Sequence, residues 1–264
     1  MKKVQFYSQA VKDFAVIAHR GASFYAPENT MSAFELAHQM KADMIEIDVL
    51  LSKDNVPIVL HDSFLEGTTN GKGLVKEFNS KKLKQLDAGS WFSKKFQGEK
   101  IPTLEEVLKW AKDKISLNIE VKTEAVSDFY KNGIEFYSTQ LVRKYEMENH
   151  VIFSSFDYRS ILHLKKNAPE IATSILYDKR RPFRINPTDL LDKYQPDGFN
   201  ANWRRLNARE INQIKQKGYD VWVYTVNREK IMRKVIRRGV TGIFTDRPDV
   251  LRKVVLEKVE RDQG

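Results

Sequence analysis

Short apolar runs alternate with amphipathic segments along most of this 264-residue chain. Each run has the length of a buried strand, and nearly every run is followed by apolar positions at helical spacing. Strands that alternate with helices pair in parallel, so the pattern predicts an α/β protein made of repeated strand–helix units. The predicted strands begin near residues 15, 44, 116, 151, 172, 198, 221 and 242.

Eight such units in a chain of this length favour a (β/α)8 TIM barrel. An open, doubly wound sheet is the alternative, but the glycine-rich loop that usually follows its first strand is missing here. One extra short strand is predicted at Val56–Leu60. We expect a single domain over residues 1–264, with about 63–102 as a small insertion after the second strand, because this segment interrupts the alternation.

Some element boundaries carry local signals of their own. Asn29 or Thr30 can cap the first helix, and Thr103 begins the pattern of a capping box. A longer helix is expected over about 125–146. A basic, proline-containing loop at 179–187 precedes a short helix.

The amino-acid composition excludes some kinds of site and favours one kind of partner. Hydrophobic residues make up 41% of the chain, and there is no cysteine, which excludes disulfides, thiolate zinc sites and cysteine nucleophiles. The formal net charge is +10, which suits an anionic partner such as a phosphate ester. The basic residues are spread over predicted helices, so we expect a small-molecule substrate and no nucleic-acid interface.

Targeting signals are also missing from the pattern. No apolar run approaches the roughly 18–20 residues of a transmembrane helix. The N-terminal segment lacks the apolar run of about 7–15 residues that a signal peptide contains. We therefore expect a cytoplasmic protein with no stable membrane insertion.

Carboxylates interrupt the apolar runs at positions that a buried strand should not tolerate. Glu46 and Asp48 alternate with aliphatic residues in the second strand, and Glu120 ends the third barrel strand. Residues i and i+2 of a strand face the same side, and the active site of a TIM barrel lies at the carboxyl ends of its strands. Three carboxylates from neighbouring strands form a hard-oxygen site that suits Mg²⁺ or Ca²⁺.

Two histidines and two cations are expected at the same mouth of the barrel. His19 ends the first strand and His61 ends the extra strand, where imidazoles suit proton transfer near neutral pH. Arg20 and Lys122 add positive charge for a phosphoryl group, although a simple ion pair between Glu120 and Lys122 is an alternative. Other polar residues at predicted strand ends are Asn200 and Thr225. The histidines expected to be structural are His38, His150 and His163.

Motifs over about residues 15–250 occur in the order and spacing of a known family. The first group is His19-Arg20-Gly21, Pro27-Glu28-Asn29-Thr30, Glu46-x-Asp48 and Val59-Leu60-His61-Asp62. The second group is Thr68-Thr69-Asn70-Gly71, Asp87-Ala88-Gly89-Ser90-Trp91, Ile101-Pro102-Thr103-Leu104 and Asn118-Ile119-Glu120-Val121-Lys122. The last group is Val221-Trp222-Val223-Tyr224-Thr225-Val226-Asn227 and Gly242-Ile243-Phe244-Thr245-Asp246-Arg247-Pro248. In this combination the chain resembles the glycerophosphodiester phosphodiesterases.

The resemblance implies a TIM barrel with a subdomain inserted after the second strand. It also implies hydrolysis of glycerophosphodiesters to sn-glycerol 3-phosphate and an alcohol, with one divalent cation, Mg²⁺ or Ca²⁺. Carried over by position, Glu46, Asp48 and Glu120 would bind the metal. His19 and His61 would be the general acid and base.

The same resemblance implies how the substrate is held and cleaved. Arg20 and Lys122 would contact the phosphate. Trp222 would lie against the glycerol or the alcohol, with a core position on the seventh strand as the alternative. The glycerol 2-hydroxyl would attack phosphorus, and water would then open the resulting cyclic phosphate.

Two other functions compete with this one. A lipid phosphodiesterase on the same barrel, such as a lysophospholipase D or a phospholipase C-like enzyme, could use the aromatic residues of the insertion, Trp91, Phe92 and Phe96, for an acyl chain. A non-catalytic sugar-phosphate binder is less favoured, because both histidines and all three carboxylates are present.

Overall fold

A computed structural model describes residues 1–7, 9, 11, 14–177 and 186–263, with side chains as far as residue 260. These residues form nine strands. They are β1 (Ala15–His19), β2 (Met44–Leu51), β3 (Pro57–Val59), β4 (Ser116–Val121), β5 (Val151–Ser155), β6 (Ala172–Tyr177), β7 (Gly198–Asn202), β8 (Asp220–Tyr224) and β9 (Gly242–Thr245).

Eight of these strands form a closed parallel barrel. Each barrel strand pairs in parallel with its neighbours, and β9 closes the ring by pairing with β1. The predicted (β/α)8 barrel is therefore confirmed. The short β3 lies outside the ring and pairs antiparallel with β2, so the chain turns back beside β2 before it reaches the segment that follows.

Helices follow the barrel strands. The α-helices are α1 (Met31–Gln39), α2 (Ser80–Leu83), α3 (Leu104–Ala111), α4 (Ile134–Lys144), α5 (Tyr158–Asn167), α6 (Pro187–Tyr194), α7 (Ala208–Gln216), α8 (Glu229–Arg237) and α9 (Pro248–Gln263). Thr30 caps α1 and the capping box of Thr103 begins α3, as their sequence signals predict. No helix in the described part of the chain is long and apolar enough to cross a membrane.

One predicted helix is shorter than expected, and one predicted loop is described only in part. The helix expected over about 125–146 is shorter, because residues 123–133 form separate 3₁₀ turns at Thr123–Ala125 and Tyr130–Asn132 before α4 begins. Most of the predicted basic loop at 179–187 lies outside the described residues, and only its last two positions are seen, where Pro187 begins α6.

The barrel interior changes from apolar to polar along its axis. Towards the amino ends of the strands, a buried cluster includes Ile17, Met44, Ile152, Ala172 and Trp222. Further along the strands lie buried polar residues, namely Glu46, Asp48, Asn118, Ser154 and Asn200. The carboxylates Glu46 and Asp48 inside the barrel therefore lie on the polar side of its interior.

The segment between β3 and α3 has its own small apolar cluster. Leu65, Val75, Leu83 and Ile101 pack there against Leu60, which follows β3. The ring of Phe92 lies 5.7 Å, centroid to centroid, from each of its aromatic neighbours, Trp91 and Phe96. That residues 63–102 form an insertion within one domain over 1–264 stays a prediction.

Candidate active site

The carboxyl ends of the barrel strands surround a cavity of about 300 Å³. Parallel register sets His19 beside Glu46 and sets Asp48 beside Glu120. The antiparallel return of β3 adds His61 to the same rim. Predicted site residues that line the cavity are His19, Arg20, Glu46, His61, Glu120 and Lys122.

Three carboxylates converge at the base of this cavity. Glu46, Asp48 and Glu120 each offer an oxygen, and these oxygens all lie within 4.8 Å of one another. Glu46 and Asp48 are only 3% and 1% exposed, so their charges are taken out of water close together. Burial, with the neighbouring carboxylates, raises the pKa of both Glu46 and Glu120. Such a buried, like-charged set of hard oxygens fits a divalent cation.

Asp48 differs from the other two carboxylates. Burial alone would raise its pKa, but Arg20 and Lys122 hold the pKa well below its usual range. Asn29 also donates to Oδ2 of Asp48 at 2.9 Å. Asp48 is therefore the carboxylate of the triad that stays charged most readily.

Arg20 is placed by a tight turn at the end of β1. It adopts a left-handed backbone with φ of 56°, and Gly21 follows with φ of 85°. A side-chain carbon at Gly21 would lie 2.7 Å from Ala33, so glycine is needed where α1 packs against this turn. The guanidinium Nε of Arg20 lies 3.2 Å from Oδ2 of Asp48, and its NH1 donates to Glu28 at 2.8 Å.

Both cavity histidines are held by an aspartate through the same ring nitrogen. Nδ1 of His19 lies 2.7 Å from Asp246, and Nδ1 of His61 lies 2.7 Å from Asp62. Nε2 of each ring is therefore the nitrogen left for a substrate. Sequence reasoning assigned no role to Asp246, although it belongs to one of the motifs. Its position directly after the last apolar strand is the signal that could have identified it.

The remaining predicted residues are placed differently. Trp222 does not line the cavity; it is 5% exposed and packs in the amino-terminal half of the barrel interior, 6.2 Å from Phe244. A substrate contact of Trp222 stays a prediction. Tyr224, two positions on, lines the cavity. Thr225 also lines the cavity, whereas Asn200 is fully buried within β7.

Comparison with known proteins identifies the family. The model of the glycerophosphoryl diester phosphodiesterase family matches residues 19–250. The chain belongs to the glycerophosphoryl diester phosphodiesterase family. It is accordingly an enzyme, a phosphodiesterase of the hydrolase class.

Two relatives of this phosphodiesterase match it over nearly their full length. It is 42% identical over 240 residues to the putative glycerophosphodiester phosphodiesterase YhdW of Bacillus subtilis, covering 90% of this chain and 96% of that protein. It is 39% identical over 241 residues to a glycerophosphodiester phosphodiesterase of Caldanaerobacter subterraneus subsp. tengcongensis, covering 91% and 97%.

A solved structure resembles this phosphodiesterase in fold and sequence. The phosphodiesterase of Oleispira antarctica, in complex with the product sn-glycerol-3-phosphate, aligns with a TM-score of 0.81. The two are 31% identical, and the alignment covers 90% of this chain and 95% of that one.

Proposed function

We propose that this phosphodiesterase hydrolyses glycerophosphodiesters to sn-glycerol 3-phosphate and an alcohol. The observation that carries the proposal is one cavity that holds two aspartate-bound histidines beside a carboxylate triad. The relative from Oleispira antarctica binds sn-glycerol-3-phosphate, which fits a small glycerophosphodiester as the substrate class here.

Glu46, Asp48 and Glu120 would hold the divalent cation, for which we propose Mg²⁺ or Ca²⁺ because all three donors are hard oxygens. When bound, such a cation supplies Lewis-acid polarisation of a phosphoryl oxygen. Arg20 and Lys122 keep their charges beside the triad and would bind the phosphate oxygens.

The two histidines would move the protons of the first step. Nε2 of one histidine takes the proton of the glycerol 2-hydroxyl while that oxygen forms a bond to phosphorus. The bond from phosphorus to the alcohol oxygen breaks, and the other histidine gives this oxygen a proton. The products of the step are the alcohol and a cyclic glycerol phosphate.

Hydrolysis of the cyclic phosphate reverses the two roles. The histidine that gave its proton takes one from water as the water oxygen bonds to phosphorus. The ring bond to the glycerol 2-oxygen breaks, and that oxygen receives the proton held by the first histidine. Both histidines return to their starting protonation states, and sn-glycerol 3-phosphate is left.

The proposal is tested by measuring release of sn-glycerol 3-phosphate from glycerophosphocholine and glycerophosphoethanolamine. We expect activity that EDTA abolishes and that Mg²⁺ or Ca²⁺ restores. His19→Ala and His61→Ala should each lower kcat about 10²–10⁴-fold. The control is His38→Ala, which changes an exposed histidine of α1 and should leave kcat unchanged. Hydrolysis that survives EDTA, or an unimpaired histidine variant, would contradict the assignment.

Two further substrates separate the alternatives. A diester whose glycerol lacks the 2-hydroxyl should be cleaved very poorly, and equal turnover would exclude the cyclic intermediate. Lysophosphatidylcholine should be a much poorer substrate than glycerophosphocholine. The reverse preference would instead support a lipid phosphodiesterase.

A further inference from the structure

The two cavity histidines have aspartate partners in very different surroundings. Asp62 directly follows His61 in the chain, and its side chain is 56% exposed. Asp246 is 227 residues from His19, and its side chain is only 26% exposed. One carboxylate therefore belongs to the exposed rim of the site, and the other belongs to its packed wall.

Asp246 is held in place by Asn227, which lies in the loop after β8. The side-chain amide of Asn227 donates to Oδ2 of Asp246. Oδ1 of the same asparagine accepts the backbone N–H of Asp246 at 2.9 Å and the hydroxyl of Thr245 at 3.1 Å. These three bonds determine which way the Asn227 amide points, because its nitrogen and its oxygen each have a fixed partner.

The Asn227 amide in turn determines what Asp246 can offer to His19. Oδ2 of Asp246 accepts from Asn227, so Oδ1 remains as an acceptor 2.7 Å from Nδ1 of His19. An acceptor at Nδ1 requires that nitrogen to carry a proton in the neutral ring. Nε2 of His19 is then the unprotonated nitrogen available at the cavity.

We propose that Asp246, oriented by Asn227, is a positioning residue that fixes His19 in the Nδ1-protonated tautomer. The inference deepens the proposed function, since it rests on His19 exchanging protons with substrate through Nε2. A carboxylate in this position orients the imidazole and stabilises the imidazolium that forms when the ring takes a proton. The exposed Asp62 has a weaker hold on His61, because solvent competes for its oxygens.

An Asp246→Asn variant tests the tautomer directly. The oxygen of the introduced amide would be drawn to the NH₂ group of Asn227, which turns the introduced NH₂ group towards Nδ1 of His19. His19 would then have to accept at Nδ1 and carry its proton on Nε2, the wrong tautomer for a base. We expect kcat to fall more than about 30-fold with KM nearly unchanged, as for other wrong-tautomer histidines.

The double variant Asp246→Asn with Asn227→Asp supplies the rescue. The carboxylate introduced at position 227 keeps one oxygen for the backbone of residue 246 and for Thr245, and its second oxygen accepts the NH₂ group introduced at position 246. The amide oxygen at position 246 then faces Nδ1 of His19 again. We expect kcat of the double variant to exceed that of Asp246→Asn by at least about tenfold. This is the size of effect expected for one net hydrogen bond to a charged group.

The decisive readout is the tautomer of His19, measured by ¹H–¹⁵N correlation of the histidine rings above neutral pH, with His19→Gln to assign the signal. The expected result is Nδ1–H in the wild type, Nε2–H in Asp246→Asn and Nδ1–H in the double variant. Asp62→Asn is the matched control, with less than about tenfold loss of kcat. An unchanged tautomer, a smaller loss for Asp246→Asn, or an equal loss for both aspartates overturns the proposal.

The spectroscopic result also separates this proposal from the proposed function. A wild type that hydrolyses no glycerophosphodiester but shows the expected tautomers would overturn the function alone. Suppose instead that the wild type is active and that Asp246→Asn has the same activity and the same His19 tautomer as the wild type. That result would overturn only the role of Asp246. Thermal unfolding of each variant identifies any loss that arises from instability.

Discussion

The ammonium of Lys122 lies 2.9 Å from Oε1 of Glu120, and the same nitrogen lies 3.3 Å from Oδ1 of Asp48. Burial alone would lower the pKa of Lys122, but these two carboxylates raise it, so the side chain keeps its charge. Lys122 thus lies where it can either neutralise the triad or contact a substrate phosphate. The two roles differ in what they predict.

Lys122→Met should weaken substrate binding and strengthen cation binding. Loss of a charged hydrogen bond to phosphate should raise KM about 10–100-fold. Removal of a positive charge beside the triad should lower the concentration of Mg²⁺ or Ca²⁺ needed for half-maximal activity. Steady-state kinetics over a metal series measures both, with the exposed Lys109→Met as the control. An unchanged KM would show that Lys122 does not bind the substrate phosphate and forms only a structural ion pair with Glu120.

Divalent cations should stabilise the folded protein through the carboxylate triad. A ligand that binds only the native state at 100 times its Kd adds about 2.7 kcal/mol. We expect Mg²⁺ or Ca²⁺ to raise the Tm of the EDTA-treated wild type but not that of Glu46→Gln. Glu35→Gln, on the exposed face of α1, should respond like the wild type, and a full response by Glu46→Gln would remove Glu46 from the metal site.

Substitutions of Tyr224 and Trp222 should affect different properties, namely substrate binding and folding stability. Tyr224→Ala removes a cavity ring and should raise KM about 2–10-fold. Its loss of stability should be smaller than that of Trp222→Ala, because Tyr224 is only partly buried. Trp222→Ala empties part of the packed interior and should cost about 3–5 kcal/mol of unfolding free energy without changing KM. Kinetics and urea unfolding of both variants test this, and a KM effect confined to Trp222 would reverse the assignment.

Arg252 and Asp43 form a buried ion pair at the opposite end of the barrel from the cavity. NH2 of Arg252 lies 2.6 Å from Oδ1 of Asp43, which precedes β2. Arg252→Met should cost about 3–5 kcal/mol of unfolding free energy, because it leaves the buried carboxylate without its cation. Urea unfolding measures this cost, with the neighbouring exposed Lys253→Met as the control. A loss for Arg252→Met no larger than that of the control would contradict it.

Asp87 should make stability depend on pH in the acid range. Its carboxylate accepts from the backbone N–H groups of Ser90, Gly98 and Gly89 at 2.8, 2.7 and 2.9 Å, and these bonds hold its pKa well below its usual range. A lowered folded-state pKa means stability that is present above about pH 4 and lost as pH falls further. Tm between about pH 5 and 3 should fall less steeply in Asp87→Asn than in the wild type. The control is Asp113→Asn, which changes an exposed aspartate and should behave like the wild type. Equal slopes would contradict this role.

Local sequence signals were sufficient for most of the framework. Thr30 and Thr103 begin helices as predicted, because a side-chain cap acts on neighbouring backbone N–H groups. The helix expected over about 125–146 begins only at Ile134. Its first part instead forms 3₁₀ turns, which apolar spacing alone does not distinguish from an α-helix.

Periodicity could not predict that Tyr224 lines the cavity while Trp222 does not. Both positions have the inward phase of β8, and a period of two says which face a residue occupies but not how far along the barrel axis it lies. Barrel tilt and the stagger between strands set that height. The same stagger buries Asn200 within β7, whereas Thr225 lines the cavity.

The sequence by itself determined the alternation of strands and helices. It also predicted His19, Glu46, Asp48, His61 and Glu120 as candidate site residues, because charged groups that interrupt or end an apolar run are properties of short segments. Only the tertiary structure decided which groups hold these residues in place. Asp246 reaches His19 across 227 residues because β9 closes the barrel against β1. A contact made by ring closure has no local signature, since it forms only when all eight barrel strands are paired.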